Sequence, residues 1–597
     1  VIVLKDTMQK LLHLIEKKDQ KKLLLLLVMM IAAALFETLG IGLIVPFVGI
    51  AAAPESIHQS EWLSSLYDGL GFQSDRAFLI FAVIILLTVF VIKNAYILLF
   101  QYAQNRVILN QQVKLSRMMF QVYLTKPYTF HLQHNSASLL RNINGEIYKV
   151  FQGIVMSLFQ LLTELLVAAC ILALLITITA TATLTVTALL GLSVLIFFTI
   201  FRKQISAKGK EQQLLNTEMI KWIKQGLGAS KEVKVSGTEN YFVNAYAKHS
   251  QLSANNNRYM KMLEQVPRLF IETLMVSLVL FMMLIIIFQG TNLTDFIATM
   301  ALFTMAAFRL MPSINRIVNL LTTIRYSQPA LQIIYNDITT SNELPINLAN
   351  TQSYAPKTSC TSGNLFNDSI QLNDVSFRYP EQEHYSISKV TLTIPIGKSV
   401  AFIGESGAGK TTLVDMILGL LPPEHGDITV DGQDLQSMMP LWRKRIGYIP
   451  QFIYLSDDTI RANVAFGIEA RLIDDNAVWA SLEQAQLREV VEAMPDKLNT
   501  VVGERGVRLS GGQRQRIGIA RALYHNPEIL FMDEATSALD NETEKEVMKA
   551  IDGLKGQITL IIIAHRLTTI AGCDIVYHLK NGELHTMENK EVAVGQD

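Results

Sequence analysis

The sequence predicts a multi-domain membrane protein, with an all-α membrane-spanning half followed by an α/β half. Three observations carry that expectation. Half of the 597 residues are hydrophobic and only 17% are charged, with a mean hydropathy of +0.29, more apolar than a soluble chain of this size. Before residue 335 the apolar residues gather in runs of roughly 20, the length that crosses a hydrocarbon core as a helix. From about Ile370 short β-rich runs alternate with helical patterns, the signature of a largely parallel sheet. The boundaries follow: 1–335 for the membrane half, an Asn/Ser/Thr/Pro-rich linker over 336–369, and 370–597 for the α/β half.

The formal net charge is zero and the pI about 7.3, so no basic field points to nucleic acid. Cys170, Cys360 and Cys573 are far apart and make no metal spacing. A polar, lysine-rich lead precedes the first apolar run, and that run is too long for the core of a cleavable signal.

Six spans are expected. Lys5, Lys10, Lys17, Lys18, Lys21 and Lys22 precede the first, Leu23 to Ile50, and place the N-terminus in the cytoplasm. The acidic segment that follows is external, and Ile57, Trp62, Leu63, Leu66, Tyr67 and Leu70 recur at helical spacing within it. They read as an interfacial amphipathic helix or as a packed external loop. Phe78 to Phe100 is the second span. Val155 to Ile178 and Ala182 to Phe201 form a hairpin, and Arg268 to Phe288 pairs with Phe296 to about Leu321. The Lys/Arg-rich connections after the second and fourth spans face the cytoplasm and continue the spans as helices.

In the second half, the apolar run Ser399 to Ile403 leads into Gly404-Glu405-Ser406-Gly407-Ala408-Gly409-Lys410-Thr411-Thr412, and an apolar helical pattern follows. Strand, glycine-rich turn and helix make this a P-loop. Backbone N–H groups around Gly404, Ser406, Gly407 and Gly409 converge on phosphate, Lys410 reaches the β- and γ-phosphates, and Thr411 holds Mg²⁺, with Thr412 beside it. The strand Ile529 to Asp533 ends in two carboxylates: Asp533 suits a Mg²⁺ water shell and Glu534 suits polarising a water. Between them, Ser510, Gly511, Gly512 and Gln513 open a helix and form a second phosphate receptor. Two receptors for one γ-phosphate imply two copies packed head to tail, each completing the other's site.

The P-loop, Gln451, Leu509-Ser510-Gly511-Gly512-Gln513, Asp533-Glu534, Ser537-Ala538-Leu539-Asp540 and His565 together resemble the motif set of an ATP-binding cassette domain. The order of the two halves resembles an exporter half-transporter with six membrane helices. The resemblance implies ATP as substrate with Mg²⁺, a homodimer, and a multi-pass protein of the inner (plasma) membrane with cytoplasmic cassettes. It implies that Tyr379 stacks on adenine, Gln451 links Mg²⁺ and water to the membrane half, Asp540 communicates across the dimer, and His565 contacts the γ-phosphate. Gly503 to Gly506 resembles the loop of exporters that touches the membrane domain.

Charges at membrane depth are expensive, and Arg268, Arg309 and Arg316 stand out. Arg309 and Arg316 are seven apart and share a helix face, and together the three form a cationic patch suited to a diphosphate. The competing reading is local neutralisation, as of Arg268 by Glu272, or snorkelling. Glu37, Lys93 and Glu164 read as helix–helix pairs. Around these residues, Phe36-Glu37-Thr38, Val266-Pro267-Arg268 and Phe308 to Ile317 resemble the bacterial flippases of lipid-linked oligosaccharides, which implies a polyprenyl-diphosphate oligosaccharide as substrate. A lipid or multidrug exporter of the same architecture is the alternative, and a peptide exporter the third.

Overall fold

The computed structural model describes residues 2–14, 16–52, 57, 61–178, 180–289, 293–339, 365–534, 541–564, 570 and 572–587, with side chains throughout most of them. The chain forms two compact units, Val1–Lys126 with His134–Thr351, and Pro127–Gln133 with Gln352–Asp597.

The first unit is helical. Each predicted span falls in helical backbone: Lys17–Ala52, Asp75–Thr125, Met156–Ile178 with the π-helical turn before it, Ala180–Gly228, Glu239–Gln289 and Leu293–Thr339. By length and composition, Asp75–Thr125, Ser136–Ala173 and Leu190–Gly228 are long and apolar enough to cross a membrane, among the described residues. Asp75–Thr125 has 51 residues, about 76 Å of helix, against a hydrocarbon core of about 30 Å. Helices of this length run well past the bilayer, as the Lys/Arg-rich connections predict. Leu293–Thr339 runs through Pro312 and Pro329 without a break and enters the segment predicted as linker. In the external segment a short helix, Glu61–Gly69, forms, and Tyr67 packs with Ile57 and Phe78, so the packed-loop reading describes it better than the interfacial one.

Beyond the membrane depth, polar groups tie helix ends together. Tyr123 donates to Asp337 at 2.6 Å, and Asn142 donates to Tyr123 at 2.9 Å, linking the ends of two long helices to a π-helical turn, Asn142–Glu146. Glycine lets the helices approach. A Cβ on Gly209 would stand 2.2 Å from the Tyr326 carbonyl oxygen, and one on Gly153 would stand 2.1 Å from Ser327 Oγ.

The second unit holds two sheets. β1 (Ser369–Phe377), β2 (Ile387–Pro395), β4 (His425–Val430) and β5 (Gln433–Asp434) form an antiparallel sheet in the order β2-β1-β4-β5. β3 (Ser399–Ile403), β6 (Ile446–Ile449), β7 (Ile529–Asp533), β8 (Thr559–Ile563), β9 (Ile575–Lys580) and β10 (Glu583–Met587) form the other, in the order β10-β9-β3-β8-β7-β6, parallel except for the β9–β10 hairpin. The apolar runs are continuous because both faces are buried. Along β7, Leu530 and Met532 enter one core while Ile529 and Phe531 enter the other; along β8, Leu560 and Ile562 divide from Ile561 and Ile563 in the same way.

The Gly209 contact is with backbone, which no side-chain rotation relieves. Gly209→Ala should therefore destabilise the membrane unit by about 1–3 kcal/mol, the cost of overpacking. A lower melting temperature of the detergent-solubilised protein checks this, and an unchanged one refutes the contact.

Candidate nucleotide site and membrane cavity

Sheet register places the reactive groups. Phe402 of β3 and Asp533 of β7 both pair with Ile563 of β8. The P-loop and the two carboxylates therefore leave the same edge of the sheet at the same level, two strand spacings or about 10 Å apart. β6 lies beside β7 and ends at Ile449, which brings Gln451 to that edge as well.

The loop itself depends on glycine at two points. Gly404 has φ 143 and Gly409 φ 101, and a Cβ there would stand 2.2 Å from the Leu579 carbonyl oxygen and 2.7 Å from that of Ser386. The helix Lys410–Ile417 begins immediately after. Lys410 Nζ donates to the Gly404 and Glu405 carbonyls at 2.8 and 3.0 Å, which holds the ammonium over the loop where phosphate binds. Its burial pulls the ammonium's pKa down, and the Glu534 and Asp533 charges oppose that shift. Ser406, Gly407, Gly409, Lys410, Thr411, Thr412, Tyr379 and Glu534 line one cavity of about 500 Å³. Tyr379 Oη and Thr412 Oγ1 are 3.0 Å apart, and Phe377 meets the tyrosine ring edge-on, so the ring is held from two sides. Gln382, His384, Ser386 and Asn581 also line the cavity, and sequence reasoning missed them. Asn581-Gly582, with φ 53 and 80, is a hairpin turn legible as such, but only β9 pairing with β3 brings it to the P-loop.

Glu534 follows buried Asp533 and has φ 45, a left-handed conformation costing on the order of 1–3 kcal/mol for a residue with a Cβ. Its Oε2 accepts a hydrogen bond from Gln451 Nε2 at 2.7 Å. Ser510 and Gln513 form a capping box: Ser510 Oγ accepts from the Gln513 N–H at 3.2 Å, and Gln513 Oε1 accepts from the Ser510 N–H at 3.0 Å. Among the described residues, Ser510, Gly511, Gly512 and Gln513 do not line the P-loop cavity of their own chain. His565 and Ser537 to Asp540 lie outside the described residues. Tyr128, on the six-residue helix Tyr128–Gln133, belongs to the cassette unit, where Asp415 and Tyr379 act on its hydroxyl.

In the membrane unit, Arg316 is not a free cation. Its Nε lies 2.7 Å from Glu164 Oε1, so the helix–helix pair expected of Glu164 forms and neutralises an arginine assigned to the diphosphate. The physical reason is desolvation: a lone guanidinium at membrane depth costs more than a paired one. Arg268 is exposed, with no ion pair to Glu272 among the described residues, and the Arg309 side chain lies outside them. Lys93 stands over the Phe90 ring of its own helix at 5.0 Å. Arg316, Glu164 and Glu37 line a cavity of about 620 Å³ with the amides Gln101, Gln104, Asn105, Gln160 and Asn319.

Asp415 is buried beside Asp533, and burial first, then the Asp533 charge, raise its pKa from 3.8 to about 6. The folded state thus takes up a proton before the unfolded chain does. This carboxyl destabilises the fold when ionised, and the penalty fades as pH falls through about 6. Asp415→Asn should therefore raise cassette stability at pH 7.5 by about 1–3 kcal/mol, and the gain should shrink at pH 5. Melting curves of both proteins at the two pH values test this; an equal gain at both would remove the titration from the explanation.

The model of the ABC transporter transmembrane region matches residues 39–310, and that of the ABC transporter matches residues 387–537. The chain is 30% identical over 493 residues to an ATP-dependent lipid A-core flippase of Ralstonia nicotianae, covering 80% of this chain and 78% of that protein. It is 41% identical over 216 residues, 36% of each chain, to a multidrug resistance ABC transporter ATP-binding and permease protein of Lactococcus lactis subsp. cremoris. The structure of a bacterial Atm1-family ABC exporter with ATP bound shares its fold, with a TM-score of 0.72, 21% identity and 96% of each chain covered. A P-loop, a carboxylate pair and a signature helix on one cassette, joined to a helical membrane unit, are thus accounted for together: the chain belongs to the ABC transporters, as an ATP-hydrolysing half-transporter of the exporter type.

Proposed function

We propose that this chain is an ATP-driven flippase that moves a polyprenyl-diphosphate-linked oligosaccharide across the inner (plasma) membrane by alternating access, as a homodimer with cytoplasmic cassettes. The observation that carries the reading is the polar cavity at membrane depth, with one guanidinium among amides and carboxylates. Groups of that kind are too costly to face lipid and mark a substrate path. In this reading Arg268, Arg309 and Arg316 engage the diphosphate, Arg316 through the N–H groups that its pairing with Glu164 leaves over. The Glu164 pairing favours a second reading, a lipid or multidrug exporter that needs no free arginine; a relative bears each of those names.

In the cassette, Glu534 polarises the attacking water, with His565 and Gln451 in support. Thr411, Gln451 and Asp533 are the residues to hold Mg²⁺. The adjoining buried carboxylates Asp415 and Asp533 suit a site completed by a divalent cation. When bound, that ion neutralises charge on the phosphates. Tyr379 stacks on adenine.

A signature sequence remote from its own P-loop cavity supports the homodimer. So does the exposed apolar side chain next to Gln451, Phe452, at 84% exposure. Chains carrying Ser510→Arg and chains carrying Lys410→Ala, co-assembled, place both lesions in one composite site and leave the other intact. ATPase activity should return in the mixture; activity no higher than that of either mutant alone would exclude the head-to-tail arrangement.

The substrate reading is tested by the number of lipids flipped per ATP hydrolysed in proteoliposomes. Loss of a hydrogen bond between charged groups costs about 1.5–3 kcal/mol, so Arg309→Ala with Arg316→Ala should lower flipping of lipid-linked oligosaccharide at least about tenfold. Wild-type flipping in the double mutant would move the lipid or multidrug exporter to first place.

A further inference from the structure

The cavity's chemistry is more specific than a cationic patch. Its charged members are two carboxylates, Glu37 and Glu164, against one guanidinium, Arg316. Glu164 Oε1 is held by Arg316 at 2.7 Å, while its Oε2 is buried near Ser313 without completing a hydrogen bond. Glu37 lies close enough for its charge to act on Glu164. An anion entering here therefore meets a field that is negative on balance, and taking Arg316 strips Glu164 of its counter-ion in a medium that does not tolerate a bare charge.

The rest of the polar wall is amide. Gln101, Asn105, Gln160 and Asn319 are exposed on three different helices around the same space, and Gln104, nearly buried, gives its Nε2 to Met156 Sδ at 3.3 Å. Each amide offers donors and acceptors. The space of about 620 Å³ equals roughly 20 waters at ~30 Å³ each, large enough for more than one small polar ring.

We propose that this cavity, lined by helices of one protomer, binds the neutral, hydroxyl-rich part of the lipid headgroup. A hydroxyl donates and accepts at once and carries no charge, which matches a wall of amides and an internally compensated ion pair. The exposed amides Gln101, Asn105, Gln160 and Asn319 meet the hydroxyls, and Arg316 serves as Glu164's counter-ion. The phosphate part of the substrate then lies at the edge of this amide wall, beside Arg316 and not between it and Glu164. The inference rests on the flippase reading and names the part of the substrate that this site selects.

The full-length protein in proteoliposomes tests it through stimulation of ATPase activity. Three probes are titrated: a polyprenyl diphosphate bearing an oligosaccharide, the same polyprenyl diphosphate without sugar, and an uncharged diacyl glycolipid. Both sugar-bearing lipids should reach half-maximal stimulation at about tenfold lower concentration than the sugar-free one, equivalent to ~1.4 kcal/mol. Gln160→Leu with Asn319→Leu should bring that ratio close to one. Gln160→Asn with Asn319→Gln, which keeps both amides, should restore much of it and guards against a mere folding defect.

Equal half-maximal concentrations for all three probes in the wild-type protein overturn the proposal while leaving a flippase in place. A leucine double variant that keeps the wild-type ratio overturns it as well. Steady ATP hydrolysis that none of the lipids stimulates removes the flippase reading itself, and the sugar subsite with it.

Discussion

A phosphate chain carries its charge into whatever site receives it, and here the site hangs on one strand. β8 separates β3 from β7, and its Ile563 is the common partner of Phe402 and Asp533. That shared register sets the P-loop and the two carboxylates level along one edge. A slip of one residue in either pairing would turn the inward-facing residues of that strand to the opposite core. Burial on both faces makes such a slip expensive, since Leu530 and Met532 fill one core and Ile529 and Phe531 the other. The precision of the site is thus a by-product of the packing of the sheet.

On this frame the polar side chains of the candidate site are tied to one another and to their own loops. Lys410 donates to carbonyls of its own loop, Gln451 holds Glu534, and Ser510 caps its own helix. Each is a satisfied hydrogen bond in place of a buried polar group left bare. The strained backbone at Glu534 is held by its place immediately after a buried strand, which is how a conformation unfavourable by itself persists.

The membrane unit obeys a different constraint. Its backbone is satisfied within each helix, so stability and specificity come from close approach and from how charge is disposed. Gly153 and Gly209 permit the approach. Glu164 and Arg316 settle the disposition by meeting each other, which changes what the neighbouring cavity offers a ligand. The arginine that the sequence offers to a phosphate is, in three dimensions, also one half of an ion pair.

The sequence alone determined whatever depends on local pattern. Apolar run lengths marked the helices and strand–glycine loop–helix the phosphate site, because each signal lies within a few residues whose chemistry acts where it stands. Gln451, Ser510 and Glu534 were legible for the same reason. Tertiary structure decided everything that requires two distant segments to meet. Asn581 reaches the P-loop only because β9 pairs with β3. Glu164 neutralises Arg316 only because two helices 152 positions apart in sequence cross at that depth. Gln101, Gln104 and Asn105 recur at helical spacing on one helix, but only packing brings Gln160 and Asn319 from two other helices to the same space. Contact between remote residues is set by the packing of whole faces, and packing is a property of the assembled helices rather than of any stretch of chain.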